Sequence, residues 1–252
     1  MRIICAESER EAGNIAAKII ADVIRESPTA LLGLATGSTP IPTYEELVKM
    51  YCDGLLSFKG VSSVNLDEYV GLPPTNEQSY SYFMEKNLFS QIDIQSENVH
   101  IPNGISHNPS EECINYDRLL ARLGRVDIQL LGIGHNGHIA FNEPDSHFPK
   151  DTSLVSLSSS TVEANSRFFS SPDQVPKSAI SMGIGPILRA KRILLLATGV
   201  SKADVLEKAL FGSVTPSVPA SILQFYQGEL TVVGDTAALS VVIEKHPEAV
   251  ES

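Results

Sequence analysis

Short aliphatic runs alternate along the chain with longer segments in which apolar residues recur at helical spacing. The short runs predict strands at residues 2–6, 30–35, 62–66, 99–101, 126–133, 178–182, 192–197 and 230–233. The longer segments predict helices at residues 9–26, 39–53, 79–88, 110–123, 160–169, 185–190 and 202–211. Such alternation is typical of a parallel sheet with helices on both faces. We therefore expect an α/β fold built on a single doubly wound, mostly parallel sheet of Rossmann-like type.

Composition and charge narrow the class of protein. The 252 residues are 42% hydrophobic, which is enough for a substantial core, and no linker, repeat or low-complexity tract interrupts them. We expect a single domain over residues 1–252. The formal charge of -11 argues against nucleic acid or an anionic membrane surface as a partner, because both bind basic faces. An anionic small molecule would have to be held by a few local cations and backbone amides.

The cysteines and the first residues predict the compartment. Cys5, Cys52 and Cys113 are far apart and show no CxxC spacing, as expected for reduced thiols that act as small buried side chains. The first ten residues become charged too early for a signal peptide, and no apolar run approaches the ~20 residues of a membrane span. These features predict a soluble, cytoplasmic protein.

The most informative segment is residues 130–144, which read LLGIGHNGHIAFNEP. An apolar run of strand character breaks at two glycines into a loop with two histidines, two amides and a carboxylate. In open parallel sheets, ligands bind at the carboxyl ends of the strands, where loops can carry polar groups without disturbing the core. His138 and Glu143 are therefore our first candidates for catalysis.

Three interpretations of this histidine-rich segment compete. Side chains of the types that bind zinc occur at His135, His138, Glu143 and His147. They lie in a glycine-broken loop, without the helical HExxH spacing or a nearby cysteine. An imidazole that a carboxylate orients, acting as acid and base near neutral pH, needs fewer assumptions. The third interpretation is a histidine that only satisfies the loop backbone. We favour the acid–base role and predict no metal.

A second glycine-containing turn follows the strand predicted at residues 30–35, where residues 31–40 read LLGLATGSTP. A helix N-terminus offers unpaired N–H groups and a partial positive charge, and small side chains let a phosphate approach them. The turn matches neither the Walker nor the GxGxxG pattern. It is either a phosphate-binding turn or an ordinary helix start that Ser38 or Thr39 caps.

Two adjacent acids, Asp67 and Glu68, follow the strand predicted at residues 62–66. Consecutive residues of an extended chain point to opposite sides, so only one of them can face a given cleft. A carboxylate that is desolvated at a strand end has a raised pKa and can act as a base towards a carbon-bound proton. A solvated turn acid is the alternative that this segment alone leaves open.

Single cations occur at two further element ends. They are Arg167, within the sequence ANSRFF, and Lys202, after the sequence GVS. Arginine and lysine are the natural partners of a phosphate monoester. Taken separately, each is better explained as a surface cation.

The stretch at residues 144–160 is less regular than the rest and is rich in serine and aspartate. Because it directly follows the presumed catalytic loop, it is either a mobile lid over the site or an ordinary surface excursion. We predict a lid segment around residues 144–170.

Together these segments resemble the glucosamine-6-phosphate deaminase family. The matching pieces are LATGSTP at residues 34–40, NLDEYVGL at 65–72, SYSYFM at 79–84, LGIGHNGHIAFNEP at 131–144 and ANSRFF at 164–169. They occur in the family's order and span nearly the whole chain. The resemblance implies one catalytic domain, with the type of α/β sheet that these deaminases share with 6-phosphogluconolactonases.

The resemblance also implies an activity and a set of site residues. The activity is conversion of glucosamine 6-phosphate and water to fructose 6-phosphate and ammonium, without metal or organic cofactor. Asp67 would move a proton between C2 and C1 of the opened sugar. His138 would open the pyranose ring, with Glu143 and Asn136 orienting it or relaying protons. The residues that would hold the phosphate are Thr36, Gly37, Ser38, Thr39, Arg167 and Lys202, and the backbone of Gly137 would help to line the site.

Two departures from the family pattern matter. Some members carry Asp where this chain has Asn136, and an amide cannot exchange a proton in the same way, so we expect Asn136 to orient His138. Members that N-acetylglucosamine 6-phosphate activates place a basic cluster after the FNEP motif, whereas residues 145–153 here contain one lysine. We therefore expect weak or absent allosteric activation and a monomer or small homo-oligomer, and see less reason for an allosteric hexamer.

Two other functions are alternatives to deamination. The 6-phosphogluconolactonases resemble the deaminases in fold and in the glycine-flanked histidine, but they lack the FNEP continuation and the NLDEY segment. A non-catalytic sugar-phosphate sensor would keep the phosphate turn and would need neither Asp67 nor His138. Such a sensor would normally carry a helix-turn-helix before the domain, and we expect none before the first predicted strand.

Overall fold

The computed structural model describes residues 1–158, 162–163, 169, 171 and 174–251. Its strands are β1 (Arg2–Ala6), β2 (Leu31–Leu34), β3 (Ser62–Asn65), β4 (Asp67–Tyr69), β5 (Val99–His100), β6 (Ile128–Leu131), β7 (Ser153–Ser156), β8 (Ser178–Ser181), β9 (Arg192–Ala197), β10 (Glu229–Asp235) and β11 (Val250–Glu251). Its α-helices are α1 (Glu9–Glu26), α2 (Ile41–Cys52), α3 (Tyr80–Asn87), α4 (Pro109–Leu123), α5 (Ile184–Leu188), α6 (Ala203–Phe211) and α7 (Ser240–Lys245). Short 3₁₀ turns lie at Phe89–Gln91, Ser96–Asn98, Val200–Lys202, Pro219–Phe225 and Pro247–Ala249.

Eight parallel strands form the main sheet, in the order β11-β1-β10-β9-β6-β2-β3-β5. Every residue of the central strands β2 and β6 is buried, as expected for strands that helices cover on both faces. Helix α1 packs against α2 and against β1, β9 and β10. The predicted α/β, doubly wound and mostly parallel fold is confirmed.

The strand order reverses between β2 and β6. From β2 the chain continues outward through β3 and β5, whereas from β6 it continues in the opposite direction through β9 and β10. The loops that leave β2 and β6 therefore diverge and open a crevice at the carboxyl edge of the sheet, which is where open α/β sheets bind ligands. Both glycine-containing segments found in the sequence, residues 36–40 and 132–144, follow these two strands.

A second, three-stranded antiparallel sheet has the order β4-β8-β7. The strand predicted at residues 178–182 is present as β8, but it belongs to this small sheet, so our expectation of a single sheet was wrong on this point. The two apolar residues of β8, Ala179 and Ile180, are adjacent and both buried, and which sheet the strand joins depends on partners distant in sequence. Strands β4, β7 and β11 and helix α7 were not predicted.

Most predicted boundaries agree with the structure to within two residues, and α1 agrees at both ends. Its N-cap is Ser8, whose side chain accepts a hydrogen bond from the backbone N–H of Glu11 at 3.2 Å. Helix α2 begins at Ile41 after Pro40, two residues later than predicted. The helix predicted at residues 160–169 lies largely outside the described residues.

No helix in the described part of the chain has both the length and the apolar character that a membrane span requires.

Candidate active site

Three segments meet at the carboxyl edge of the main sheet, beside the point where the strand order reverses. They are the turn at residues 36–40 after β2, the loop at residues 132–144 after β6, and Asp67 in β4, two residues after β3. Met182 connects two of them, because its backbone N–H donates to the carbonyl of Leu66 at 2.7 Å and its carbonyl accepts from the Asn142 amide at 2.9 Å.

Phe141 connects His138 with the strand that carries Asp67. Its ring centroid is 6.4 Å from that of His138 and 5.8 Å from that of Tyr69, which follows Asp67 in β4. Its backbone N–H donates to the hydroxyl of Ser181 at 3.0 Å, and Ser181 is the pairing partner of Asp67 in the small sheet. Phe141 therefore joins the loop that carries His138 to the strand that carries Asp67.

Tyr80 connects Asp67 with the turn after β2. Its side chain has hydrogen bonds with the side chains of Tyr69 and Thr36. Burial, followed by the charges of Tyr69 and Asp67, raises the pKa of Tyr80 well above its usual range, so the phenol stays neutral. Sequence reasoning missed this residue, although it lies within the SYSYFM segment.

Asp67 is only 7% exposed. Burial, reinforced by the neighbouring Glu68 carboxylate, raises the pKa of Asp67 from 3.8 to about 8. A carboxyl group with a pKa near the working pH is well suited to removing a proton and returning it.

Glu68 serves a different purpose from Asp67. Its carboxylate accepts hydrogen bonds from the backbone N–H groups of Tyr69, Tyr80 and Ser81 and from the Ser81 hydroxyl, at 2.8 to 2.9 Å. Two of these N–H groups lie in the first turn of α3, where a negative charge stabilises a helix. Glu68 therefore anchors α3, and with it Tyr80. Of the two acids, Asp67 is the candidate for the catalytic base.

The loop after β6 arranges two polar side chains, those of Asn136 and Glu143, around His138. Its Nδ1 atom lies 3.5 Å from Oε2 of Glu143. The amide of Asn136 donates to the same oxygen at 2.5 Å, and its Oδ1 atom accepts from the backbone N–H of His138 at 3.3 Å. Asn136 thus holds both the carboxylate and the backbone that carries the imidazole. Gly134 leaves room for the ring, because a Cβ there would lie 2.3 to 2.4 Å from three imidazole atoms.

The turn after β2 does not use its hydroxyls to cap α2. The N-cap of α2 is Pro40, without a side-chain cap, so the alternative in which Ser38 or Thr39 caps the helix was wrong. The turn keeps these side chains out of α2 because Gly37 has a φ of +98°, which turns the chain before the helix starts. Tyr44, in the first turn of α2, fixes the base of this turn by donating its hydroxyl to the carbonyl of Ala35.

Lys202 reaches the loop after β6 from the 3₁₀ turn that follows the neighbouring strand β9. Its ammonium donates to the carbonyl of Ile133 at 2.7 Å. The segment that carries it is held by Asp235, whose carboxylate accepts from the backbone N–H of Gly199 at 3.0 and 3.1 Å and from that of Ala238 at 2.8 Å. The structure therefore places one predicted cation at the site, and Arg167 lies outside the described residues.

The other two histidines of the predicted segment contact other residues. His135 contacts the hydroxyl of Ser201 at 3.2 Å, and His147 is an exposed side chain 3.9 Å from Asp145. Within the described ranges, no group of three or more His, Cys, Asp or Glu side chains is arranged to hold a metal ion.

The first part of the predicted lid segment is held by hydrogen bonds. The backbone N–H and hydroxyl of Thr152 donate to the carboxylate of Asp117 in α4, at 2.6 to 3.2 Å. Strand β7 then pairs with β8. That the segment moves as a lid stays a prediction. These contacts hold residues 152–156 in place.

Comparison with known proteins identifies the class. Residues 6–232 match the family model described as "Glucosamine-6-phosphate isomerases/6-phosphogluconolactonase", and the chain belongs to this family. Glucosamine-6-phosphate deaminase from Lachnoclostridium phytofermentans is 55% identical over 233 residues, which are 92% of this chain and 98% of that protein. The enzyme of the same name from Clostridioides difficile is 49% identical over 238 residues, which are 94% of this chain and 96% of that protein.

The solved structures that are similar to this chain include a deaminase and lactonases. A monomeric glucosamine-6-phosphate deaminase is 45% identical and superposes with a TM-score of 0.93, covering 96% of this chain and 100% of that one. A 6-phosphogluconolactonase from Trypanosoma brucei is 19% identical with a TM-score of 0.75, covering 95% of this chain and 97% of that one, and this likeness shows the fold alone.

Proposed function

We propose that this protein is a glucosamine-6-phosphate deaminase, an enzyme that converts glucosamine 6-phosphate and water to fructose 6-phosphate and ammonium. The observation that carries the proposal is that a buried carboxylate of raised pKa, Asp67, and a carboxylate-paired imidazole, His138, lie on elements that Phe141 joins beside the crevice between β2 and β6. The identity of 45 to 55% with proteins of that name supports the same activity.

The first chemical step is ring opening, which we assign to His138. Isomerisation needs the open-chain aldehyde, so a proton must move from the anomeric hydroxyl to the ring oxygen. A neutral imidazole near physiological pH can accept the first proton and donate the second. Glu143 stabilises the imidazolium formed between the two transfers, and Asn136 fixes the positions of both groups.

Asp67 then acts on the open-chain sugar. Its carboxylate takes the proton from C2, which gives an enolamine, and returns it to C1. One carboxylate on one face of the substrate can perform both transfers. Water then adds to the resulting C2 iminium, and the nitrogen leaves, so that one water is consumed and one ammonium is released.

We assign phosphate binding to the turn at residues 36–39 together with Arg167, Lys202 and the backbone of Gly137. The turn lies beside the crevice, and Lys202 brings a positive charge to the adjacent loop. Binding energy from a phosphate remote from C1 and C2 can position the reacting carbons over Asp67.

The 6-phosphogluconolactonase alternative has less support. The lactonases of known structure to which the chain is similar are 18 to 24% identical to it, against 45% for the deaminase. Ammonia release from glucosamine 6-phosphate, with glucosamine as the unphosphorylated control and 6-phosphogluconolactone as the rival substrate, tests the proposal. Ammonia from the first compound alone supports it, and hydrolysis of the lactone without ammonia release refutes it.

Gly134→Ala tests the seating of the imidazole. The added Cβ would overlap the His138 ring, so the ring must move. We expect kcat/KM for deamination to fall about 100-fold, because a displacement of ~1 Å in a catalytic group has such an effect. Gly132→Ala is the matched control, since a Cβ at that position meets nothing within 4 Å. Equal losses in the two variants, at unchanged circular dichroism, would contradict the role of Gly134.

We also propose that the enzyme is a monomer without allosteric activation. A protein described as a monomeric glucosamine-6-phosphate deaminase is 45% identical, and residues 145–153 carry one lysine. We expect a single species of about 27 kDa in sedimentation velocity and hyperbolic saturation by glucosamine 6-phosphate. Sigmoidal saturation that N-acetylglucosamine 6-phosphate converts to hyperbolic saturation would refute this.

A further inference from the structure

The turn at residues 139–142 separates His138 from Glu143. Its ends are close, since its last backbone N–H donates to its first carbonyl at 3.1 Å. Among the residues that the structure describes, Ala140 is the one non-glycine residue with a positive φ, at +52°. Residues other than glycine rarely adopt this conformation unless the surrounding structure holds them in it. The turn therefore depends on contacts outside its own backbone.

Two buried side chains hold this turn against β8. The amide of Asn142 donates to the carbonyl of Ile139 within the turn at 2.8 Å and to that of Met182, directly after β8, at 2.9 Å. The hydroxyl of Ser181, the last residue of β8, accepts from the backbone N–H of Phe141 at 3.0 Å. Asn142 and Ser181 are each 1% exposed. Both side chains thus join the turn to the same end of β8.

This end of β8 is also bonded to the segment that carries the proposed catalytic base. Ser181 is the pairing partner of Asp67 in the small sheet. The backbone N–H of Met182 donates to the carbonyl of Leu66 at 2.7 Å. The two buried side chains therefore connect the loop that carries the imidazole with the strand that carries the base.

We propose that Asn142 and Ser181 are positioning residues for ring opening. They fix the turn, and with it the imidazole of His138, at a set distance from Asp67, so that one bound sugar reaches both groups. They act through the imidazole and take no part in proton transfer. The inference rests on the proposed deaminase function.

The chemistry of the contacts makes Asn142 specific for its place. Both oxygen atoms that its amide contacts are backbone carbonyls, which only accept hydrogen bonds. An ionised carboxylate of the same shape has no donor to offer them and would be repelled. Substitution by aspartate should therefore release the turn from β8 without creating a cavity.

Asn142→Asp tests the proposal. We expect kcat for deamination of glucosamine 6-phosphate to fall about a hundredfold, because a displacement of ~1 Å in a catalytic group has such an effect. KM should stay within about threefold, since the phosphate contacts are unchanged. An open-chain analogue without the 5-hydroxyl group needs no ring opening, so its deamination should fall by less than about threefold. Ammonia release from the two compounds measures these rates.

Ser181→Ala is the milder second variant, and it decides the question if Asn142→Asp does not fold. It removes the acceptor of one bond and leaves the amide of Asn142 in place, so we expect the same selective loss at about tenfold. Asn115→Asp and Ser240→Ala are matched controls that make the same chemical changes at exposed positions of α4 and α7. Both should leave the two rates unchanged.

Two results would overturn the proposal. One is an unchanged rate with glucosamine 6-phosphate in either folded variant. The other is an equal loss with the two compounds, which a general disturbance of the fold would produce. A loss confined to the sugar that must open supports it. Failure of the unmodified enzyme to release ammonia from either compound would instead refute the deaminase function itself.

Discussion

Asp67→Asn lowers kcat for deamination by about a thousandfold or more, because an amide cannot accept the C2 proton and general-base catalysis is worth up to ~10⁴-fold. The two side chains have nearly the same shape, so the dissociation constant of a non-reacting sugar phosphate should stay within about threefold. Ammonia release and calorimetric titration measure the two quantities. Asp53→Asn, the same change at an exposed residue after α2, should leave both unchanged. Normal turnover in Asp67→Asn would remove Asp67 from the mechanism.

The raised pKa of Asp67 has two consequences for pH dependence. As the free carboxylate is the active form, kcat/KM should rise with pH towards a plateau above about 8. The folded-state pKa lies above the unfolded value of 3.8, so the unfolded chain loses its proton first. Stability is therefore lost as pH rises from about 4 to about 8. Asp67→Asn should have a higher Tm than the unmodified enzyme at pH 8 and an equal Tm below pH 4.

His138→Gln slows deamination of glucosamine 6-phosphate by about a hundredfold or more, because glutamine cannot move a proton between the anomeric hydroxyl and the ring oxygen. The defect should largely disappear with an analogue that lacks the 5-hydroxyl group, since this compound cannot close the six-membered ring. Comparison of ammonia release from the two compounds measures the difference. A similar loss with both would mean that His138 acts after ring opening.

The sequence predicts most of this site because its main features are local. Two glycines after an apolar run predict the loop at residues 132–144. In the structure, this loop lies where the strand order reverses. The turn at residues 36–39 is recognisable in the same way. Each element depends on neighbours in sequence, so periodicity and turn chemistry suffice.

Features that depend on distant partners could not be predicted. Nothing near Asp67 and Glu68 tells which acid anchors a helix, because the α3 N–H groups that bind Glu68 lie 12 and 13 residues away. The pairing of β8 with β4 joins residues more than 100 positions apart. Tyr80 forms its hydrogen bonds with Tyr69 and Thr36 only once the chain has folded. The start of α2 at Ile41, directly after Pro40, is a local feature.

The central claim is that Asp67 and His138 act on the same bound sugar, with its phosphate on the turn at residues 36–39. The most direct measurement is a crystal structure with 2-amino-2-deoxyglucitol 6-phosphate, an open-chain analogue that cannot react. We predict C2 within about 3.5 Å of the Asp67 carboxylate, the 5-hydroxyl group beside His138 and the phosphate on the turn. Density for the analogue with the phosphate elsewhere, or with C2 remote from Asp67, would contradict the account.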